Sequence, residues 1–522
     1  MLHDPQWLAW LVPSIYALGA LAALSSRRWW RALAVACGAA CVIALAALAS
    51  VFVCTSGSQA GLVDRTGPTV AALIGFLGWI IAGYSRNNLA GEPGGRRYVI
   101  ALLLTLAAVS VVVTTGNLGV LVLAWTVSSL TLQPLLSFYR DRPAARLMAR
   151  KKFLSSRLAE LCLVGAAALL YAKWRSFDLS TLARLASAPG PLPLGVELAA
   201  VLLALAVLIK SAQLPVHGWL VQVMEAPTSV SALMHAGVVN LGGYVLIRMA
   251  PLVSACVPAQ VLLVVVGSAT AALAGLTMMT CSSVKVRLAW STCSQMGWML
   301  TECGLGLYDL ALLHLLAHAL YKAHAFLCCG EAVRDSLAQR MLTGSGPAAQ
   351  RRGSTRPFRA AGLGALCVAG SAFLWHALLH VPAIAWIAAL CCALGIAAAQ
   401  LERSSAPGIR WRSLAIGLFA VQLYLGWDTV VRRGLGVGAS SPETGLAIWA
   451  GACFTALYLV QCSARRSSGA PGVAPILHWA AAGYFLDEPL TRLITARGAA
   501  RGAAARSARV APVVQQHEPG AA

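Results

Sequence analysis

The chain has 522 residues, 59% of them hydrophobic and only 11% charged, against about 25% charged in soluble domains; mean hydropathy is +0.73. That composition excludes disordered, collagen-like and disulfide-framework proteins, and it excludes an ordinary water-soluble enzyme. The formal net charge of +22, from 40 Lys and Arg against 18 Asp and Glu, reads as basic cytoplasmic loops and not as nucleic-acid affinity, because Lys and Arg accumulate on the inner side of membranes.

A spanning helix needs about 20 mainly apolar residues. In chain order such runs fall near 7–24, 32–54, 68–84, 98–115, 117–138, 157–172, 195–214, 227–249, 255–280, 285–304, 309–331, 359–379, 382–400, 412–430 and 444–461. The expected fold class is an all-α polytopic membrane protein of about 13–15 transmembrane helices. The first run leads through Arg27, Arg28 and Arg31 straight into a second run, so it reads as a span and not as a cleaved leader. With the N-terminus outside, the inner loops collect most of the basic residues. The outer loops keep only Arg65, Lys173, Arg175, Arg184, Arg248, Arg432 and Arg433. That asymmetry predicts N-out, C-in.

The domain expectation follows. Residues 1–60 are N-terminal spans and 61–335 a core. A cytoplasmic linker over 336–358 contains MLTGSGPAAQRRGSTRPF, residues 359–465 are C-terminal spans, and 466–522 form a cytoplasmic tail. In the tail, PILHWAAAGYFLDEPLTRLI is too broken to span and predicts an amphipathic helix near 475–494, at the membrane face or on a partner. The Ala-, Gly- and Arg-rich remainder is expected to be disordered. The 15 cysteines form no C-x-x-C and sit mostly in apolar runs, as core fillers.

An ionisable side chain at bilayer depth costs at least ~2.5–3.5 kcal/mol, and usually faces water or protein on an ion path. Lys210 ends ELAAVLLALAVLIK and is followed by SAQLPVHGWL, where Pro215 breaks the helix. It is either a proton or cation site or a lysine snorkelling from a helix end. His235 lies about two turns into a helix that Pro227 starts, among small residues; a satisfied core histidine is the blander alternative. His314, His318 and Lys322 recur at i, i+4 and i+8, one face of one helix, the pattern of a proton relay. A zinc site there lacks a suitably spaced third ligand. Arg157 and Glu160 stand one turn apart; they form a local ion pair, or Glu160 is the acidic partner of Lys210. No phosphate-binding glycine loop and no nucleophile–base set occurs. The chain is therefore expected to carry no cofactor and no catalysis of its own.

These residues carry a resemblance. KSAQLPVHGWLVQVMEAPTSVSALMHAGVVNLGGYVLIR (210–248), KVRLAWSTCSQMGWM (285–299) and HLLAHALYKAHAFL (314–327) resemble the core of the antiporter-like proton-channel subunits of respiratory complex I and of multisubunit cation/proton antiporters. The resemblance implies a bundle with two inverted five-helix repeats, each with a broken helix. It also implies that Lys210, His235, Lys285, His314, His318 and Lys322 line a hydrophilic axis, with Glu160 at an acidic helix-6 position. Two positions depart from the respiratory pattern: Thr126 follows Trp125 where a glutamate is expected, and Ser283 replaces an aspartate. VMEAPTSVSALMHAGVVNLGGYVLIR, RPAARLMARKKFLSSRLAELCL and HWAAAGYFLDEPLTRL are closer to the DabB branch, membrane subunits of bacterial inorganic-carbon accumulation systems. That resemblance implies a bacterial inner-membrane chain that conducts protons or sodium. It further implies a large cytoplasmic zinc partner resembling DabA, which hydrates CO2 and holds the zinc. A pumping subunit of an NADH:quinone oxidoreductase, a cation/proton antiporter subunit and a membrane scaffold with a degenerate channel remain open alternatives.

Overall fold

The computed structural model describes residues 7–54, 63–331, 443–466 and 474–492, with isolated positions elsewhere between 341 and 494. The described residues are helical or in short connections, with one isolated bridge, Asn117 to Asp178. Apolar runs in lipid have to close their backbone hydrogen bonds within the segment, and a helix does so. The helices are α1 (Trp7–Ser25), α2 (Trp29–Cys54), α3 (Val63–Asn88), α4 (Gly95–Thr114), α5 (Leu118–Leu136) and α6 (Pro143–Trp174). They continue with the short α7 (Leu179–Ala186), α8 (Leu194–Lys210), α9 (Gly218–Val221), α10 (Thr228–Ala236), α11 (Leu241–Arg248) and α12 (Ala250–Ser254). Then come α13 (Val257–Thr280), α14 (Val284–Gly304), α15 (Tyr308–Leu327), α16 (Thr444–Arg466) and α17 (Ala474–Ala481).

Ten described segments are long and apolar enough to cross a membrane: α1 to α6, α10 and α11 taken together, α13, α15 and α16. Two further expected spans are present in altered form. α8 stops at Lys210 and the chain breaks, and α14 carries Lys285, Arg287 and Glu302. The runs expected at 359–379, 382–400 and 412–430 lie outside the described residues, isolated positions apart. The sixth span differs from its expected start at 157. α6 begins at Pro143, a residue suited to a first helical turn, and runs 32 residues because its basic N-terminal stretch stays helical and turns Lys151 and Lys152 inward.

The helices pack as neighbours: α1 with α2 and α4, α4 with α5, α6 with α8, α13 with α14, α10 with α15, and α16 on α13. The interrupted α10–α11 segment is the central element, with 94% of its span buried inside the protein. Its far end is tied down by Arg248. The guanidinium donates to the carbonyls of Val113 (3.2 Å) and Thr115 (2.9 Å) and to the Tyr244 hydroxyl (2.8 Å), which itself donates to Val113 O (2.6 Å). These are carbonyls at the C-terminal end of α4, where a cation is favoured. Arg248, expected in an outer loop, is thus a buried tie between helices.

The loops that join α4 to α5 and α6 to α7 brace one another. Leu118 N–H donates to Phe177 O (2.7 Å) and Leu179 N–H to Gly116 O (2.8 Å). Asn117 caps α5 and Asp178 caps α7, its carboxylate accepting from Thr181 N–H (2.8 Å) and the Ser180 hydroxyl (2.5 Å). Those hydrogen bonds from Ser180 and Thr181 hold the Asp178 carboxyl below its ordinary range. Its contribution is therefore full at neutral pH and lost as pH falls through the depressed value. Asp178→Ala is expected to cost about 1 kcal/mol, read as a small drop in apparent Tm at neutral pH that shrinks in acid.

Candidate functional site

The site forms where broken helices leave polar groups inside the bundle. α8 ends on Lys210, and residues 211–217 cross to α9 with a cis Leu214–Pro215 bond and Ala212 at φ 53°. Other groups re-satisfy the freed backbone. Leu214 N–H donates to Thr270 Oγ1 on α13 (3.2 Å), and the Gln213 amide donates to Ser211 O (2.9 Å). Pro215 thus breaks the helix where the sequence puts the break. Pro227 stands immediately before α10, as expected of a helix start.

Two groups of ionisable residues result. The first surrounds Ser129 on α5. Lys210 Nζ donates to Ser129 Oγ (2.7 Å) and lies over the Trp125 ring at 4.7 Å, and Lys152 Nζ donates to Ser129 O (2.8 Å). Both lysines are buried. Glu160 accepts from Arg157 Nη2 (2.7 Å) and forms no ion pair with Lys210, whose charge is near enough to act on its carboxylate. The local ion pair is realised, and Lys210 is a neighbour of Glu160 and not its direct partner.

The second group lies between α10, α14 and α15. His235 stacks on Phe326 at 4.4 Å with rings 16° apart. His318 is close enough to His235, Lys322 and His314 to feel each of them electrostatically. All four ring nitrogens of His235 and His318 are buried and without hydrogen-bond partners among the described residues. Lys322 is fully buried, its Nζ donating to Leu288 O (3.1 Å). His314 meets Glu302 through Nδ1 (3.1 Å) and Gln295 Oε1 through Nε2 (2.9 Å). Lys285 sits apart at the start of α14, donating to Thr228 Oγ1 (3.0 Å). Among the described residues, no hydrogen bond or ion pair joins the Ser129 group to the histidine group. Nor is any group of three or more His, Cys, Asp or Glu among them placed to hold a metal ion.

His235 is therefore not the satisfied core histidine that the blander reading offered. Sequence reasoning missed Lys152, Ser129, Glu302 and Gln295. Lys152 looked like one more loop cation. The signal that would have found it is helical spacing: Lys152, Ser155, Ser156, Ala159, Glu160 and Leu163 share the buried face of α6. Glu302 carried a weaker signal, an acid inside an apolar stretch.

Residues 115–347 match the family model described as NADH:quinone oxidoreductase/Mrp antiporter, TM. A protein from Hydrogenovibrio crunogenus named "Probable inorganic carbon transporter subunit DabB" is 40% identical over 445 residues, covering 84% of this chain and 83% of that protein. The chain belongs to the DabB family. Chains of two larger membrane complexes have a similar fold. A chain of the Mrp complex from Dietzia sp. DQ12-45-1b superposes with a TM-score of 0.54 at 21% identity, covering 98% of this chain and 60% of that one. A chain of the archaeal membrane-bound sulfane sulfur reductase superposes with a TM-score of 0.56 at 17% identity, over 92% and 97% of the two. At those identities the likeness shows the antiporter-like fold of this DabB chain and nothing finer.

Proposed function

We propose that this chain is the ion-conducting membrane subunit of an energy-coupled inorganic-carbon uptake complex. Protons or sodium pass along Glu160, Lys210, His235, Lys285, His314, His318 and Lys322, framed by the inverted five-helix repeats implied by the antiporter-like resemblance. The chain lies in the bacterial inner membrane with its N-terminus outside and its C-terminus in the cytoplasm. The partner is a large cytoplasmic zinc protein resembling DabA, in which the zinc and the hydration of CO2 to bicarbonate reside. The membrane chain supplies drive and not catalysis.

One observation carries this reading. His235 and His318 present orphaned ring nitrogens beside the fully buried Lys322. An unpaired buried polar group costs about 1–3 kcal/mol, so a fold without use for these atoms has no physical reason to keep them. Each elementary charge that moves down 100 mV releases ~2.3 kcal/mol. A few charges therefore suffice to bias a near-balanced hydration toward bicarbonate. The test is growth in ambient air of a strain lacking carbonic anhydrase. Co-expression of this chain with its zinc partner restores growth, and an uncoupler abolishes the rescue. Rescue by the zinc partner alone, or rescue indifferent to the uncoupler, overturns the proposal.

A further inference from the structure

The segment 474–492 does not lie free. α17 packs on α13, and Ala480 is fully buried. Gly483, Tyr484 and Phe485 follow with φ of 60°, 56° and 56°, reversing the chain, and the Tyr484 hydroxyl donates to Leu273 O on α13 (3.2 Å). The predicted amphipathic helix is thus shorter than 475–494 and is seated on the chain's own bundle. The turn delivers Asp487 to the place where α6 meets the break after α8.

Asp487 Oδ2 accepts from Lys151 Nζ (2.5 Å), Gln222 Nε2 (3.1 Å) and Thr491 Oγ1 (3.3 Å). The Lys151 side chain is fully buried, and among the described residues Asp487 is its sole hydrogen-bond and ion-pair partner. The backbone comes so close on the other side that a Cβ at Gly218 would collide with the carboxylate. His217, next to that glycine, packs against Trp290 at 4.8 Å with the rings tilted by 41° and is near enough to feel the Asp487 charge. Among the described residues its Nδ1 and Asp487 Oδ1 are both buried and without hydrogen-bond partners. Lys151 precedes Lys152, whose ammonium shares Ser129 with Lys210.

A lone ammonium in a dry interior is strongly unfavourable unless a counter-charge meets it. α5 contains no acidic residue to supply one. The carboxylate instead arrives from 336 residues away in sequence. It keeps one oxygen on Lys151 and leaves the other unpartnered near an imidazole that also has a free nitrogen. The carboxylate is itself part-exposed, so it joins the buried ammonium to solvent.

We propose that Asp487, with Lys151 and His217, is a further residue of the ion route, an acid beside the lysines that gather on Ser129. This rests on the ion-route reading above. The test is made on the full chain co-expressed with its zinc partner. Ion flux is measured in membrane vesicles, and amide hydrogen exchange is followed over 474–492. Asp487→Asn keeps acceptors for Gln222 and Thr491 but loses the charge. With the counter-charge gone Lys151 gives up its proton, as buried amines do, so the variant is expected to retain the exchange protection of 474–492 while flux falls about tenfold, within the usual range of coupling between sites; Asp487→Glu restores flux. Lys210→Ala is run alongside. Should Asp487→Asn conduct like the parent while Lys210→Ala does not, the role of Asp487 is overturned and the route stands. Should both conduct like the parent, the route itself falls, and Asp487 with it. Flux lost only together with exchange protection makes the segment a structural strap, which also overturns the role of Asp487.

Discussion

Lys322→Ala and Lys210→Ala are each expected to abolish growth in ambient air of a carbonic-anhydrase-deficient strain that expresses this chain with its zinc partner. Both variants should still reach the membrane at parental levels. Lys322 is the stronger case. Its ammonium is buried among α14 and α15, tied to Leu288 O and beside His318. Removing it leaves two orphaned histidines with no cationic neighbour to exchange with. Lys210→Ala removes one of two ammonium groups on Ser129 and leaves Lys152. A purely structural lysine predicts the reverse order of effects: lower membrane abundance, with growth per molecule unchanged. Immunoblotting against the growth readout separates the two. Unchanged growth in both variants sinks the proposed route.

Gly297→Val is expected to be the most damaging of the helix-packing substitutions to stability. α13 and α14 cross with glycines face to face. A Cβ at Gly297 would meet Ala271 N at 2.8 Å and Ala271 Cα at 3.2 Å, and one at Gly267 would meet Gly297 O at 2.7 Å. Those are backbone atoms and cannot swing aside. Small residues let membrane helices approach this closely, and close approach is what holds them where lipid offers no hydrophobic drive. The same seam carries Ser294 Oγ donating to Ala271 O (2.8 Å). Forcing a side chain in costs about 1–3 kcal/mol or more. It should appear as a large loss of apparent Tm in detergent and of expression. Gly38→Ala is the control, since a Cβ there meets nothing within 4 Å. An equal loss at Gly38 would mean that glycine content in general is responsible, and not this crossing.

Much of the bundle was legible from the sequence because lipid imposes one rule: apolar runs of spanning length become helices. Pro215 and Pro227 marked a break and a start that the structure keeps. His314, His318 and Lys322 were legible as one face from their spacing alone. Lys152 was not, because a lysine in a basic stretch looks the same whether it points to water or inward. Helix rotation decides between the two, and rotation is set by what α8 packs against. Asp487 was illegible for a different reason. Its meaning depends on a contact with Lys151 across nearly the whole chain, and no local pattern encodes such a contact. Glu160 was half legible: the pair with Arg157 is local, and its nearness to Lys210 is tertiary.

The Arg248 tie has a mechanical consequence. α10 and α11 are joined through a tight turn at Val238–Asn240, and the α11 end is riveted to the carbonyls at the end of α4 by three donated hydrogen bonds, two from Arg248 and one from Tyr244. A segment fixed at one end and jointed in the middle has its far end at Thr228, and His235 lies beside the joint itself. The imidazole thus sits at the pivot, where displacement is least, stacked on Phe326.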